Sequence, residues 1–173
     1  IEMKTLNKFL SLLVIVFTLI TVFSCRKDDQ EQPKPVLKTY AELTLDDIKA
    51  KENALSTADL VISDAGGIKM KAGDIILYKT QKGKYGKMEV IAIDAASNYK
   101  IKVKAMTYVN ENWTEYITSN ALEVRGTWYC DLDYPNMKEV DDETLADFKN
   151  ERLTNTNTKL TSKNGAKFMK YNF

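Results

Sequence analysis

The run Tyr99-Lys100-Ile101-Lys102-Val103-Lys104-Ala105 alternates apolar and charged side chains without a break. Successive side chains of an extended strand point to opposite faces, so Tyr99, Ile101, Val103 and Ala105 form one face and three lysines the other. This stretch is committed to a half-buried strand.

Other segments carry the same signature. Strands are expected over residues 59–63, 74–80, 87–94, 99–109, 113–118 and 122–132, with Ala65-Gly66-Gly67 breaking the first and a Lys/Gly turn joining the second to the third. Segments 74–80 and 87–94 are apolar on both faces, which places them centrally in a sheet. A hairpin tip at Ala95-Ala96 would set Glu89 opposite Lys102, a favourable cross-strand pair. Thr44 is a candidate N-cap for a short helix over 45–55, with Asp46 and Asp47 in its first turn. DETLADFKNERL, residues 142–153, reads as an amphipathic helix that turns Leu145, Phe148 and the stem of Arg152 inward. Residues 154–164 read as a polar connection. The ending KFMKYNF puts Met169, Tyr171 and Phe173 on one face of a closing strand. The expected fold is mainly β (α+β): an antiparallel sheet forming a sandwich or small partly open barrel, with one or two short helices. A membrane barrel is excluded, because its strands need about 9–11 residues and a lipid-facing apolar band. No repeat with helical-solenoid spacing is present.

The amino-terminal end follows other rules. Lys4 and Lys8 precede an uncharged run of fifteen residues, FLSLLVIVFTLITVF. As a helix it would rise about 22 Å, short of the roughly 30 Å hydrocarbon core of a bilayer. A basic flank, a short apolar core and a small residue at the cut make a secretory signal peptide over residues 1–24. The two residues before Met3 are read as lying upstream of the start.

Thr21-Val22-Phe23-Ser24-Cys25 resembles the lipobox of bacterial lipoproteins. That resemblance implies cleavage before Cys25, lipidation of its sulfur and acylation of its new amino group. The family usually has Leu where this chain has Val22; Ser24 is an accepted small residue, and Phe23 is bulkier than usual. Arg26 stands where many lipoproteins carry an inner-membrane retention aspartate. Lys27-Asp28-Asp29 is similar to the lysine-plus-two-acids tag that sends some lipoproteins to the outer face. The implied location is the cell envelope: the outer membrane, lipid-anchored, with surface display favoured over the periplasmic leaflet and both open. Each buried CH₂ contributes about 0.8 kcal/mol, so one acyl chain is marginal and several are secure. Residues 25–39 then form a flexible tether containing DDQEQPKPVLK; about 14 residues reach up to ~50 Å. Residues 40–173 remain as one β-rich domain, and its sheet region resembles small β-rich lipoproteins of unknown role.

Composition removes several chemistries. The chain has no histidine, which excludes Ser-His-Asp and Cys-His catalysis and every imidazole metal site. With Cys25 lipidated, Cys130 is the one remaining thiol, so neither a disulfide nor structural zinc is available. Cys130, in the strand-like Thr127-Trp128-Tyr129-Cys130, is expected to be buried and inert. Without residues 1–24 the basic and acidic residues balance at 23 each, from 25−2 and 24−1, which gives no global pull toward nucleic acid.

Three candidate sites remain. Gly83-Lys84-Tyr85-Gly86 formally matches the GXXG of KH nucleic-acid loops, but that loop needs flanking helices and both flanks read as strands. The phosphate-loop pattern also fails, because Gln81 and Met88 stand where it needs Gly and Ser/Thr. A hairpin turn with a solvated lysine face is the reading, with envelope glycan or anionic lipid as contacts open to it. In CDLDYPNMKEVDDE, Asp131 and Asp133 share one face if extended, and Asn136 and Asp142 add hard oxygen donors of the type calcium prefers. The EF-hand pattern fails at Pro135, Asn136 and Asp142, leaving either an irregular calcium site or a solvated acidic turn. The same acids could serve as a glycosidase pair. Trp113 and Tyr116, near a hairpin tip, are the candidate stacking faces for glycan or protein. The expected function is a membrane-anchored envelope lipoprotein acting as a non-catalytic binding or structural module. The alternative is a carboxylate-dependent glycan hydrolase, and no organic cofactor is called for.

Mass spectrometry of the mature protein is expected to find a lipidated Cys25 at its amino terminus. A Cys25→Ala variant should leave the membrane fraction. An unmodified Cys25 overturns the lipoprotein reading.

Overall fold

The computed structural model describes residues 36–61, 70–110, 112, 114–133, 135–152 and 158–171. The expected signal peptide, Cys25, most of the tether, Trp113, Tyr134 and Phe173 lie outside them. Among the described residues the chain forms ten strands in two five-stranded antiparallel sheets. They are β1 (Leu60–Val61), β2 (Ile75–Lys79), β3 (Tyr85–Asp94), β4 (Lys100–Tyr108), β5 (Tyr116–Val124), β6 (Tyr129–Asp131), β7 (Lys138–Val140), β8 (Phe148–Arg152), β9 (Thr158–Ser162) and β10 (Lys167–Lys170). The first sheet runs β10-β2-β3-β4-β5 and the second β1-β9-β8-β6-β7. The result is a sandwich, the first of the two expected architectures.

The alternating run behaves as its pattern requires. Ile101, Val103 and Ala105 are buried on β4, while Lys100, Lys102 and Lys104 point away. They meet Ile76, Tyr78 and Met88 of the same sheet and Cys130, Leu132, Phe148 and Leu160 of the other. The Phe148 and Phe168 rings cross perpendicularly with centroids 5.9 Å apart, an edge-to-face contact.

The first sheet is covered on its outer face too, which explains why β2 is apolar on both sides. Ile75, Leu77 and Tyr85 pack under Tyr40, Leu43, Ile48 and Leu55. Ile48 belongs to α1 (Leu45–Ala50), whose capping box joins Thr44 to Asp47: Thr44 N donates to Asp47 Oδ2 at 2.8 Å. A 3-10 turn, Glu52–Ala54, continues it, so the expected 45–55 helix is present in two pieces. Lys87, buried in this layer, donates to the Tyr40 and Leu43 carbonyls at 2.6 Å each and lies under the Tyr40 ring. Burial pushes the Lys87 ammonium below its ordinary range, and the charge of Lys104 adds to this. Lys38 and Thr39 are bonded in as well, to Asp47 and Glu42.

Four expectations need correction. Residues 142–153 are not a helix: a 3-10 turn, Glu143–Leu145, leads to β8, and Leu145 is exposed while Phe148 and Asn150 are buried. Leu, Ala, Glu and Lys favour helix locally, but β6 and β9 pair with this segment on either side, and tertiary pairing overrides propensity. Part of the expected polar connection is strand β9. β5 runs unbroken through Ser119 to Ala121, between the expected strands 113–118 and 122–132, and the second of these is interrupted at residues 125–128 before β6. Glu89 faces Lys104, not Lys102, because the β3–β4 turn lies further along and a bulge falls between Val90 and Ala92. The closing strand is present as β10, paired with β2.

Asn150 ties the sheets together. Its Nδ2 donates to the Tyr99 carbonyl at 2.8 Å and the Val124 carbonyl at 3.1 Å. Asn98 and Tyr99 both have positive φ, +55° and +57°, a conformation stabilised by these contacts and by the Asn98 Nδ2 bond to Gly126 O. Asn150→Ala is expected to lower stability by about 3 kcal/mol, since it strands buried carbonyls, with the denaturation midpoint shifting at constant m. The Lys38 and Thr44 bonds hold the Asp47 carboxyl down to about 2. A depressed carboxyl stabilises the fold above its unfolded pKa, and this is lost as pH falls through the folded value. The melting-temperature advantage of the wild type over Asp47→Asn should therefore be full above about pH 4 and fade toward about pH 2.

Candidate functional site

At one end of the sandwich, the β2–β3 turn meets the segments that follow β6 and precede β8. The turn is closed by Thr80 N to Lys84 O at 2.8 Å and Gly83 N to Thr80 O at 2.9 Å, with Gly83 at φ +77°. The Gly83–Gly86 motif is therefore a hairpin, and Gly86 lies against the Tyr78 ring, where a side chain would collide. Buried Thr80 accepts from Lys84 N through Oγ1 and donates to Asp133 Oδ1 at 2.8 Å.

Asp131 ends β6 and its Oδ1 accepts from Asp133 N at 2.8 Å, an Asx turn that folds Asp133 back toward Thr80. Asp147 sits just before β8 and is wholly buried. Its Oδ1 accepts from Gln81 N and its Oδ2 from Leu132 N, both at 2.7 Å, so one carboxylate bridges the β2–β3 turn and the β6 exit. Thr107 completes the join by donating to Leu132 O at 2.7 Å, within hydrogen-bond distance of the Tyr78 hydroxyl.

The three acids offer carboxylate oxygens within 4.8 Å of one another. Burial, then the Asp133 charge, pushes the Asp147 carboxyl up to about 7, against the two N–H bonds that favour its ionised form. Burial also raises Asp133, with the Thr80 bond and the Lys82 charge opposing. Lys82 Nζ stands 3.7 Å from Asp133 Oδ2 on a half-exposed side chain, and Oδ2 itself has no hydrogen-bond partner. An open pocket of about 420 Å³, lined by Lys82, Lys84, Val109, Asn110, Glu115 and Asp133, reaches this group from solvent. Its donors and acceptors suit a hard cation or a polar ligand.

The sequence-derived candidates are only partly assembled here. Asp131 and Asp133 belong to the cluster. Asp142 does not: it is exposed and caps the 3-10 turn by accepting from Thr144 N at 2.9 Å and Thr144 Oγ1 at 2.7 Å. Asn136 is exposed on the loop before β7. Glu139 is engaged by Arg125 Nε at 2.7 Å. Tyr116 is 56% exposed on β5, edge-on to Tyr108 with centroids 6.2 Å apart. Trp113, its proposed companion, is outside the described residues. Cys130 is fully buried, and desolvation raises its thiol well above the ordinary range, as an inert cysteine requires. Asp147 was missed because its segment reads as an amphipathic helix. Alternation with Phe148 would place it on the solvent face, so no local signal marks it: its burial comes from the β2–β3 turn and the β6 exit closing over it.

These features define a two-sheet antiparallel β-sandwich carrying a buried acidic cluster beneath a polar pocket. No protein family, curated protein or solved structure matches the chain.

Replacing Asp147 by Ala leaves the Gln81 and Leu132 amides without acceptors. The expected loss is about 3 kcal/mol or more, measured by urea denaturation.

Proposed function

We propose that the chain is a lipid-anchored protein of the cell envelope, held to the outer membrane through Cys25, and that its sandwich is a non-catalytic module binding a polar envelope ligand of the glycan type. The observation that carries the binding reading is the pocket over Asp133, built from the β2–β3 and β4–β5 connections and the segment after β6. Ligand sites concentrate on such connections at the end of a rigid scaffold. The lining of lysine, asparagine and carboxylate groups offers donors and acceptors to a polyhydroxylated molecule. Asp147, the most deeply buried of the acids, does not line the pocket and is not among the groups that a pocket ligand meets.

The mature chain is expected to bind saturably on a glycan array or to an envelope-protein fraction. Lys82→Ala and Glu115→Ala, which remove groups at the pocket, should weaken that binding about tenfold. Absence of saturable binding, or binding unchanged in both variants, overturns the reading. A hydrolase is the second reading, favoured by one observation: Glu115 and Asp133 line the same pocket, as a glycosidase pair would. Release of reducing ends from envelope glycans by the wild type, lost in Glu115→Gln, would establish it instead.

A further inference from the structure

We propose that the carboxylates of Asp131, Asp133 and Asp147 hold a divalent cation of the calcium type. The site stands on geometry and does not depend on the envelope role or on the pocket's ligand. Asp133 is 1% exposed, and its two oxygens differ in circumstance. Oδ1 is taken by Thr80 at 2.8 Å, while Oδ2, equally cut off from water, has no hydrogen-bond donor; Lys82 Nζ, at 3.7 Å, is too far for one. With only that distant ammonium beside it, the buried oxygen lacks the hydrogen bond that such groups almost always have in native structures.

The spacing fits one ion. Calcium binds oxygen at about 2.4 Å, so two oxygens on the same ion lie at most about 4.8 Å apart. The three acids here present oxygens within that limit. Their existing bonds do not exhaust them. Asp131 Oδ1 accepts one N–H, from Asp133, and each Asp147 oxygen accepts one, from Gln81 or Leu132. A carboxylate oxygen has two lone pairs, so each keeps one for a metal while its N–H bond orients it. The donor set is all oxygen and strongly anionic, which suits calcium and gives no soft ligand for zinc or copper. The open pocket that Asp133 lines brings solvent up to the edge of the cluster, the side from which an ion would enter.

The test is titration calorimetry of the mature chain in detergent, stripped with EDTA and titrated with calcium chloride, then separately with magnesium chloride. One calcium per chain is expected, bound at least about tenfold more tightly than magnesium, with a rise in melting temperature in millimolar calcium. Asp133→Asn and Asp131→Asn each keep an oxygen acceptor and should lower calcium affinity about tenfold or more while leaving circular dichroism and cooperative unfolding intact. The second variant guards against a folding defect in the first. No calcium heat and no melting shift in the wild type would overturn the site, as would affinity unchanged in both variants. Equal affinity for magnesium would overturn the calcium-type assignment. Glycan binding measured with and without EDTA separates this result from the pocket reading, since either can fail alone.

Discussion

The Asp147 carboxylate is the constraint around which this fold is arranged. A β-sandwich joins two sheets through apolar side chains, which attract without specifying direction. Asp147 adds direction. It accepts Gln81 N from the turn of one sheet and Leu132 N from the exit of a strand in the other, in a place with no water to substitute. A carboxylate there is tolerable only if both amides stay in place, so the two turns have one workable relative position. Asn150, three residues on, does the same for the Tyr99 and Val124 carbonyls. One short segment thus fastens both sheets by polar contacts, with Phe148 filling the apolar space between them.

The outer layer rests on a parallel device. Lys87 stands among apolar side chains on the far face of the first sheet, and its ammonium is satisfied by two carbonyls of the 40–43 turn and by the Tyr40 ring. Moving that turn would leave a buried cation without partners, a large penalty compared with the loss of a surface contact. The capping box of α1 acts next to it, so the layer is held by a cap at one point and a cation at another. This second layer allows a small domain to bury both faces of β2 and of the first part of β3, Tyr85 to Met88, while Ile91 beyond it is exposed.

The acidic end follows from the same polar economy. Asp131 turns the chain after β6, Asp133 receives Thr80, and Asp147 bridges, so each acid has a structural bond of its own. Convergence of the three concentrates negative charge where burial strengthens it. Asp133 Oδ2 is left as the unsatisfied element, and it belongs to the residue that lines the pocket. Structural bonding and ligand capacity coincide in one residue.

Much of the scaffold was legible in the sequence. The alternation over Tyr99 to Ala105, the two-faced apolar segments, Thr44 as a cap, the closing strand and the buried Cys130 all follow from local periodicity and local chemistry, which act over a few residues. Of the site, Asp131 and Asp133 were legible as neighbours because residues two apart meet locally, here through an Asx turn and not along a strand face. Asp142 stands apart from them because proximity in sequence is not proximity in space: it caps the 3-10 turn instead. Asp147 and β8 were illegible for a related reason: a segment of helix-favouring residues becomes strand only when strands on both sides supply its hydrogen bonds, and those partners come from distant parts of the chain. The sequence by itself determined the buried face of the alternating run over Tyr99 to Ala105 and that the chain is mainly β, because both follow from local periodicity. Only the tertiary structure decided which acids meet, because an unsatisfied buried carboxylate is a property of its neighbours and not of its own residue.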